Sequence, residues 1–320
     1  MAGIKLAQSI KMTNDTLQAG VIEILATESK LLHLLPFMTI QGSGYTYNVE
    51  KNLGSAQFRQ LNGNYTNKAI ETETMVEALV ILGDEAIIDT FQMAVHSDVN
   101  NLMAIEVALR SKAIAHMYEK CFLRGGVTGG QGAAWDGNET FQAGSGTVSE
   151  SQGSEFVGLL TRYIFNNTSP SSNTVAEVMS KQVIMASNES PDLIGDIDVL
   201  LDMVAGGADC LIMNKKTRRA LTAKARPLCT YRQSEFGVQF TQYGGIDIVD
   251  VESDILGDDY VLAVKFGAKE GVCGLQNGGV RVTALGEMES QPQLKTRIEW
   301  FCGLAVFNPK TVAIRKPYKG

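Results

Sequence analysis

Two strand patterns near the N-terminus are separated by a polar connector that is too long to be a simple turn. Tyr45, Tyr47 and Val49 alternate with polar residues, as in a strand, and residues 75–82 form a second strand pattern. The connector, residues 51–73, contains few large apolar side chains, although a few residues would have joined the strands. The pattern predicts a two-stranded ribbon that protrudes from the protein. Such a ribbon is marginally stable alone in water and needs a surface to lie against.

The longest helical pattern runs from about Val95 to Leu123 and is followed by a glycine- and serine-rich stretch, residues 125–154. Its apolar residues recur every three or four positions, which predicts one buried helix face. The predicted buried stripe consists of Val99, Leu102, Ile105, Leu109, Ala113, Met117 and Cys121. Glycine ends the helix, and we expect the following stretch to be a loop.

Helices and strands follow one another irregularly in the rest of the chain. Residues 1–12 are predicted to be an arm that leads into a helix from near Thr16 to Pro36. Further predicted elements are helices within 174–186, 190–204 and 215–225, a strand at 209–213, and short strands after 245 that close with a long pair at 295–307 and 311–316. Because regular βαβ alternation is lacking, the predicted fold class is α+β.

Charge and hydropathy limit the possible partners. The chain has 28 Lys and Arg against 35 Asp and Glu, and a net charge of −7 at pH 7. Tight DNA binding needs clustered basic residues that replace phosphate counterions, so we expect only weak, non-specific contact with DNA. The sequence contains neither an apolar run of about 20 residues nor a signal-peptide pattern, so no membrane partner is expected. The five dispersed cysteines are predicted to be buried free thiols.

The sequence lacks the short motifs of nucleotide binding, zinc binding and serine hydrolysis. His33, His96 and His116 are the only histidines, and we expect them at the surface or at an interface. The glycines within 125–132 follow a helix and open a loop, whereas a dinucleotide-binding fingerprint follows a strand and opens a helix. We therefore predict no catalytic residue, no cofactor and no metal, and the protein is not expected to be an enzyme.

Two acidic clusters leave one alternative open. A predicted helix carries four aspartates that are interpreted as a solvated face, namely Asp192, Asp196, Asp198 and Asp202. A Gly-Asp-Asp triplet lies between apolar stretches and is interpreted as a surface turn. The alternative is a metal-dependent enzyme that uses Asp254, Asp258 and Asp259.

The order of these elements resembles the major capsid proteins of tailed phages with the Hong Kong 97-type shell fold. Arm, polar hairpin, single long helix, glycine-rich loop, mixed domain and closing strands follow one another as in that family, over essentially the whole chain. The resemblance rests on SKLLHLLPF (29–37), CFLRGG (121–126), EFVGLL (155–160), DCLIMNKKTRRAL (209–221), YGGIDIV (243–249), YVLAVKFGAKEGVCGL (260–275) and RIEWFCGLAVFNPKTVAIR (297–315).

The resemblance implies a structural subunit in four parts. They are an N-terminal arm (1–36), an E-loop hairpin (37–83), a peripheral domain with a long spine helix (84–190 and 290–320) and an axial domain (191–289). The implied function is self-assembly, through hexamers and pentamers, into an icosahedral phage head that encloses double-stranded DNA. The protein is expected to assemble in the host cytoplasm and to reside in the virion.

The family also implies partners. Its type member carries a cleaved N-terminal scaffolding segment, whereas this chain starts almost directly at its arm, so a separate scaffolding protein is expected. Portal and decoration proteins are further implied partners. The hairpin is expected to lie across a neighbouring subunit through Lys51, Phe58, Arg59, Leu61, Tyr65 and Lys68. Lys51 and Lys68 lie in the loop that is crosslinked in the type member, but no partner residue matches and no crosslink is predicted.

An encapsulin-type nanocompartment shell is the alternative that keeps the same fold. Such a shell holds an enzyme and not a genome. Encapsulins are usually shorter, and the glycine- and serine-rich stretch is unlike them, so the phage head is the favoured interpretation.

Overall fold

The computed structural model describes residues 4–6, 16–52, 58–65, 71–96, 102–125, 155–165, 175–185, 192–234, 237–288 and 291–317. Within these ranges the helices are α1 (Thr16–Glu28), α2 (Lys30–Leu34), α3 (Thr90–His96), α4 (Leu102–Arg124), α5 (Val175–Ser180), α6 (Leu193–Met203) and α7 (Lys215–Lys224). A π-helical turn covers Thr161–Phe165, and single 3-10 turns cover Arg226–Leu228 and Pro309–Thr311.

The strands begin with β1 (Ile4–Lys5), β2 (Pro36–Thr39), β3 (Gly44–Asn52), β4 (Glu71–Ala78), β5 (Val80–Asp89), β6 (Val183–Met185) and β7 (Cys210–Asn214). They continue with β8 (Cys229–Gln233), β9 (Gln239–Tyr243), β10 (Ile246–Val251), β11 (Val261–Val264), β12 (Val272–Met288), β13 (Gln291–Val306) and β14 (Val312–Lys316). One sheet has the order β1-β2-β12-β13-β5, another has the order β6-β14-β11-β7-β10-β9-β8, and β3 pairs only with β4. The predicted α+β class is confirmed.

The five-stranded sheet is built on the long antiparallel hairpin β12–β13, to which β5 adds along its full length. Thr296, Ile298 and Trp300 alternate along β13 and are buried, because α4 and α1 cover this face of the sheet. The ring of Trp300 stacks on that of Tyr118 of α4, with 4.9 Å between centroids. The long helix therefore lies across the sheet and is held by an aromatic core.

The seven-stranded sheet is covered on one face by α6 and α7. Leu193, Ile197 and Leu200 of α6 pack with Leu221 of α7 in a cluster that includes the sheet. All of β7 is buried, as expected for a central strand with both faces covered. The predicted α6, β7 and α7 are confirmed within two or three residues.

The long helix starts later than predicted and buries a different face. Val95 belongs to α3, Val99 lies outside the described residues, and Ile105 and Leu109 are exposed. The buried residues of α4 are Val107, Ser111, Ile114, Ala115, Tyr118, Glu119, Cys121, Phe122 and Leu123. Apolar residues occur on several sides of this helix, so their spacing alone does not decide which side is buried. The contact between Tyr118 and Trp300 selects the face that is buried.

Two predicted elements are also corrected. The helix predicted within 174–186 ends at Ser180, and β6 follows it because Ile314 N–H donates to Gln182 O at 2.9 Å and β6 pairs with β14. The predicted closing pair does not exist, since β13 lies in the five-stranded sheet and β14 in the seven-stranded one. Both strands are apolar and lie next to each other in the sequence, which suggested that they pair, but β13 pairs with β12 and β5, and β14 pairs with β6 and β11.

Sheet membership divides the chain differently from the predicted ranges. β12 falls in the range expected for the axial domain but belongs to the five-stranded sheet, and β6 and β14 join the seven-stranded sheet. All five cysteines are free, and four of them are buried, as predicted, while Cys229 is half-buried. In the described part of the chain, no helix is both long and apolar enough to cross a membrane.

Candidate functional site at the ribbon

The ribbon of β3 and β4 has two different faces. Tyr45, Tyr47 and Val49 on β3 lie on the same face as Met75 and Glu77 on β4, as their antiparallel register requires. This face is partly or fully buried, whereas the intervening residues are mostly exposed. We call the paired segment 44–50 and 72–78 the root of the ribbon, and residues 58–65 its tip. The strand predicted around Tyr47 is confirmed as β3, but the one predicted at 75–82 is divided at Leu79 between β4 and β5, which lie in different sheets. The root is attached to its own subunit.

Aromatic contacts attach the root to the end of β13. The rings of Tyr47 and Phe307 are 4.9 Å apart, and the ring of Tyr45 is 6.1 Å from that of Phe307. Val49 is buried beside them. The hydroxyl of Tyr47 donates to Val306 O at 3.1 Å. The root is therefore part of the hydrophobic core and not a freely hanging strand pair.

A buried ion pair lies beneath these rings. Arg162 Nη2 donates to Glu77 Oε2 at 2.7 Å, and Nη1 donates to Oε1. The side chains of Arg162 and Glu77 are only 6% and 12% exposed. Burial disfavours the charge on Arg162, but the Glu77 carboxylate outweighs this effect, and the pKa of Arg162 lies above its ordinary value. Tyr47 OH also lies 3.1 Å from Glu77 Oε1, so its one proton is shared between this oxygen and Val306 O. Burial raises the pKa of Tyr47.

The backbone places Arg162 at this position through two glycines. Gly125 ends α4, and a Cβ on Gly125 would lie 2.3 Å from Phe156 O, so only glycine permits this approach. Gly158 N–H donates to Gly125 O at 2.9 Å, and Arg162 N–H donates to Gly158 O at 3.1 Å. The π-helical turn then directs Arg162 beneath the ribbon. A glycine at the end of the long helix was predicted and is confirmed.

The tip carries the apolar residues that were predicted to contact a neighbour. Phe58 is completely exposed, Leu61 is 95% exposed and Tyr65 is 66% exposed. Arg59 lies over the ring of Tyr65, 5.3 Å from its centroid, and donates to Gly63 O at 3.2 Å. These four of the six predicted residues therefore lie close together at the tip.

The other two predicted contact residues are not placed in the same way. The backbone of Lys51 lies in β3, and its side chain is outside the described residues, as is the whole of Lys68. The sequence reasoning missed Glu77 and Arg162. Met75 and Glu77 alternate along β4, and this alternation could have indicated that Glu77 lies on the buried face. Nothing in the sequence pairs Glu77 with Arg162, which belongs to a distant turn.

The acidic turn at 254–259 is occupied by structural bonds. Asp258 accepts from Asn214 Nδ2 at 2.6 Å and from Lys216, whose hydrogen bond lowers the pKa of Asp258. Asp259 N–H donates to Thr217 Oγ1 at 3.0 Å. Arg124 donates to Asp254 O at 2.7 Å. Among the residues described, no group of three His, Cys, Asp or Glu side chains has metal-binding geometry, so the turn offers no support for a metal-dependent enzyme.

The solvated face predicted for the four aspartates at α6 is confirmed for all of them but Asp196. Arg315, which is buried, donates to Asp196 Oδ2 at 2.7 Å, and Tyr243 OH donates to Asp198 Oδ1 at 2.9 Å. Both bonds connect α6 to the seven-stranded sheet. Asp192, Asp198 and Asp202 are exposed as expected, and Asp196 is half-buried.

One of the three histidines departs from its predicted place. His33 is buried, and its Nε2 lies 2.6 Å from Ser234 Oγ. Burial is the main reason that the pKa of His33 lies below its ordinary value. His116 is exposed as predicted, and the side chain of His96 lies outside the described residues.

Neither a protein-family model nor a curated protein sequence matches this chain. Solved structures are similar over nearly all of it. The holo-SrpI encapsulin complex from Synechococcus elongatus PCC 7942 is 15% identical, covers 90% of this chain and 86% of its own, and has a TM-score of 0.59. The capsid of a native GTA particle is 10% identical, with 92% and 91% covered and a TM-score of 0.60. The structure of Microbacterium phage Oxtober96 is 12% identical, with 91% of each chain covered and a TM-score of 0.59. The chain therefore has the Hong Kong 97-type shell fold.

Proposed function

We propose that this chain is a major capsid protein that self-assembles into an icosahedral phage head around double-stranded DNA. The similar structures include a particle capsid and a phage. The observation that carries the proposal is the ribbon, whose root is buried in its own subunit while its tip exposes Phe58, Leu61 and Tyr65. A chain that functions alone gains nothing from such an apolar tip, which is suited to a neighbouring subunit.

The tip residues are proposed to bury themselves on an adjacent copy of the chain. Burying one large apolar side chain stabilises a contact by about 1.5–3 kcal/mol. In a symmetric shell the same contact recurs at every equivalent interface, so modest single contacts are collectively sufficient. Arg59 belongs to this contact with Phe58, Leu61 and Tyr65, and Lys51 and Lys68 are proposed to add charged contacts.

The charge of the chain is suited to a capsid shell that encloses DNA and binds it only weakly. With a net charge of −7, only weak and non-specific contact with the packaged DNA is proposed. We also propose that the role of the protein is structural and that it catalyses no reaction. Hexamers and pentamers of the chain, assembled in the host cytoplasm and retained in the virion, are proposed to work with portal, scaffolding and decoration proteins.

The four-part division of the chain also stays a proposal. The arm (1–36) and the E-loop (37–83) keep their predicted ranges. The peripheral domain (84–190 and 290–320) and the axial domain (191–289) are proposed around the five-stranded and the seven-stranded sheet. Backbone hydrogen bonds join β12 to the five-stranded sheet and β6 and β14 to the seven-stranded sheet, so these three strands cross the proposed boundaries.

An encapsulin-type shell is the second candidate, since the holo-SrpI encapsulin complex is among the similar structures. Both candidates form closed particles, so assembly alone does not separate them. The contents of particles purified from the native source separate the two candidates. Packaged double-stranded DNA supports the phage head, and an enclosed enzyme without a genome supports the compartment.

Assembly is tested with the full chain by sedimentation and negative-stain electron microscopy. We expect closed particles, capsomers or both. The triple variant Phe58→Ser, Leu61→Ser and Tyr65→Ser should remain folded but unassembled. Val199→Ser, which also removes an exposed apolar side chain but lies on α6, serves as the control and should assemble. A wild-type chain that sediments only as a monomer at all concentrations and salt strengths contradicts the proposal.

A further inference from the structure

The buried ion pair at the root links two segments that are 85 positions apart in the sequence. Arg162 is held from both sides, because its Nε donates to Val157 O at 3.1 Å and its Nη2 donates to Leu304 O at 3.2 Å. The remaining bonds go to the two carboxylate oxygens of Glu77. The guanidinium is therefore anchored to the body of the subunit, and Glu77 is the point where the ribbon is bound to it.

The geometry of this pair restricts direction as well as distance. A guanidinium is planar and presents its donors in a rigid fork, so a two-point bond to a carboxylate fixes the orientation of both groups. Apolar contacts such as that of Tyr47 with Phe307 are less directional. Tyr47 OH, on the neighbouring strand, lies 3.1 Å from both Glu77 Oε1 and Val306 O and shares its one proton between them, so both strands of the ribbon meet at one carboxylate.

Stability alone does not explain a charge pair at this position. Desolvating two charges cancels much of their attraction, and well-packed apolar residues of similar volume are often as stable as a buried pair. What apolar residues do not supply is the fixed angle. The pair therefore suits a role in setting geometry.

We propose that Arg162 is a positioning residue, which acts through Glu77 to set the direction in which the ribbon leaves the free subunit. This inference rests on the proposed function, because the direction of the ribbon decides which part of the neighbour its tip reaches. The angle is set before assembly, and the outer part of the ribbon adapts to the neighbour.

Small changes of angle at the root have large effects farther out. β3 extends five residues beyond Tyr47, to Asn52, which is about 17 Å at the usual rise of a strand. A rotation of about 10° at the root displaces that end by about 3 Å, which is the length of one hydrogen bond. Shell contacts repeat by symmetry, so an angle that varies between subunits produces particles of mixed size and shape.

The test separates angle from stability by replacing the pair with apolar residues. The double variant Glu77→Leu and Arg162→Met is made in the full chain and compared with wild type and with Glu85→Gln. Glu85, on β5, is half-buried and pairs with Arg297 at 2.9 Å and with Lys295 at 2.5 Å, so this control loses a carboxylate and its ion pairs without touching the root. Spin labels on Thr72→Cys, an exposed position at the outer end of β4, and on Lys181→Cys, with Cys229→Ser in the background, report the distance from ribbon to body in the monomer fraction.

We expect a single narrow distance peak for wild type and Glu85→Gln. The double variant should melt within about 4 °C of wild type but lose that peak in favour of a broad distribution, and its particles should be mixed in size. A narrow peak at the wild-type distance overturns the proposal, as do uniform wild-type particles from the double variant. If the double variant does not fold, Arg162→Lys is measured instead, because it keeps the charge but loses the two-point bond to Glu77, and an unchanged distribution in it also overturns the proposal. The distance measurement needs no particles, so a wild-type chain that never assembles contradicts the proposed function separately.

Discussion

Ser29 and Glu119 meet in the core, where Ser29 Oγ donates a 2.5 Å hydrogen bond to Glu119 Oε1. Ser29 also caps α2, because Leu32 N–H donates to the same oxygen at 3.1 Å. Glu119 lies on α4, so this bond joins the N-terminal arm to the long helix. Burial raises the pKa of Glu119, although the bond from Ser29 acts in the opposite direction.

The first prediction concerns the pH dependence that this carboxyl causes. An unfolded Glu has a pKa of about 4.3, and between that value and the raised folded pKa the folded protein holds a proton that the unfolded chain has lost. The free energy of unfolding therefore falls as the pH rises through this window. Glu119→Gln does not titrate, so it should match wild type near pH 4 and be more stable at pH 7. Urea unfolding at both values measures this, and a variant less stable than wild type at pH 7 contradicts it.

Removing the cap should weaken the same junction. Ser29→Ala deletes the N-cap oxygen of α2, which typically costs about 1 kcal/mol, and it leaves Glu119 without its hydroxyl donor. Thr27→Ala is the control, since Thr27 is exposed near the end of α1 and bonds only to its own helix. We expect the control to change the free energy of unfolding by less than about 0.5 kcal/mol. Equal losses in the two variants, measured by urea unfolding, argue against the junction.

Breaking the root pair from one side should be more costly than replacing both partners. Glu77→Gln leaves the Arg162 guanidinium buried without its counter-charge, and such a change typically costs about 3–5 kcal/mol. Glu85→Gln should cost less, because the Glu85 side chain is 34% exposed, against 12% for Glu77, and solvent screens its ion pairs with Arg297 and Lys295 more strongly. Denaturant unfolding of the two variants measures the difference. A Glu77→Gln variant as stable as Glu85→Gln means that Arg162 has another partner.

The buried face of the long helix gives a further prediction. Leu109 is 56% exposed, whereas Ile114 is 2% exposed. Ile114→Ala should therefore cost about 2–5 kcal/mol, and Leu109→Ala should cost less than about 0.5 kcal/mol. Leu109→Pro should cost about 3 kcal/mol or more, because proline removes a helix hydrogen bond and clashes with the preceding turn. Thermal unfolding of the three variants checks the assignment, and a larger loss for Leu109→Ala than for Ile114→Ala contradicts it.

Local periodicity predicted elements well and their contacts poorly. The alternation around Tyr47 and the length of the connector were enough to predict the ribbon. The helical spacing located α4 but selected Leu109 for its buried face, because the choice among several apolar sides depends on Trp300 in a distant strand. Burial in this fold is decided by long-range contacts that a short window of sequence does not contain.

The same limit explains why the root was missed. Arg162 follows an apolar stretch and resembles an ordinary surface arginine in the sequence, and only the approach of Gly125 to Gly158 brings it beneath the ribbon. Asp196 was assigned to solvent for a related reason, since its partner Arg315 lies in a distant strand. In contrast, exposure of the tip follows from composition alone and was predicted.

Hydrogen exchange should divide the ribbon into two parts. The root residues are buried and bonded to the body, so their amides should exchange slowly in the free subunit, as should those of α4. The tip, residues 58–65, has few bonds of its own beyond the turn in which Gly63 N–H donates to Gln60 O at 3.0 Å. Its local opening free energy should be near zero, and its exchange should be fast.

In particles the tip should become protected, because burial of a single Phe58 or Leu61 side chain contributes about 1.5–3 kcal/mol, which slows exchange about tenfold or more. The root should change little, since its partners Arg162 and Val306 belong to the same subunit. Mass spectrometry of free subunits and particles compares both segments in one experiment, and α4 serves as the internal reference. Equal exchange of the tip in the two states contradicts the proposed contact between subunits. A root that exchanges as fast as the tip in free subunits shows instead that the buried ion pair does not hold the ribbon.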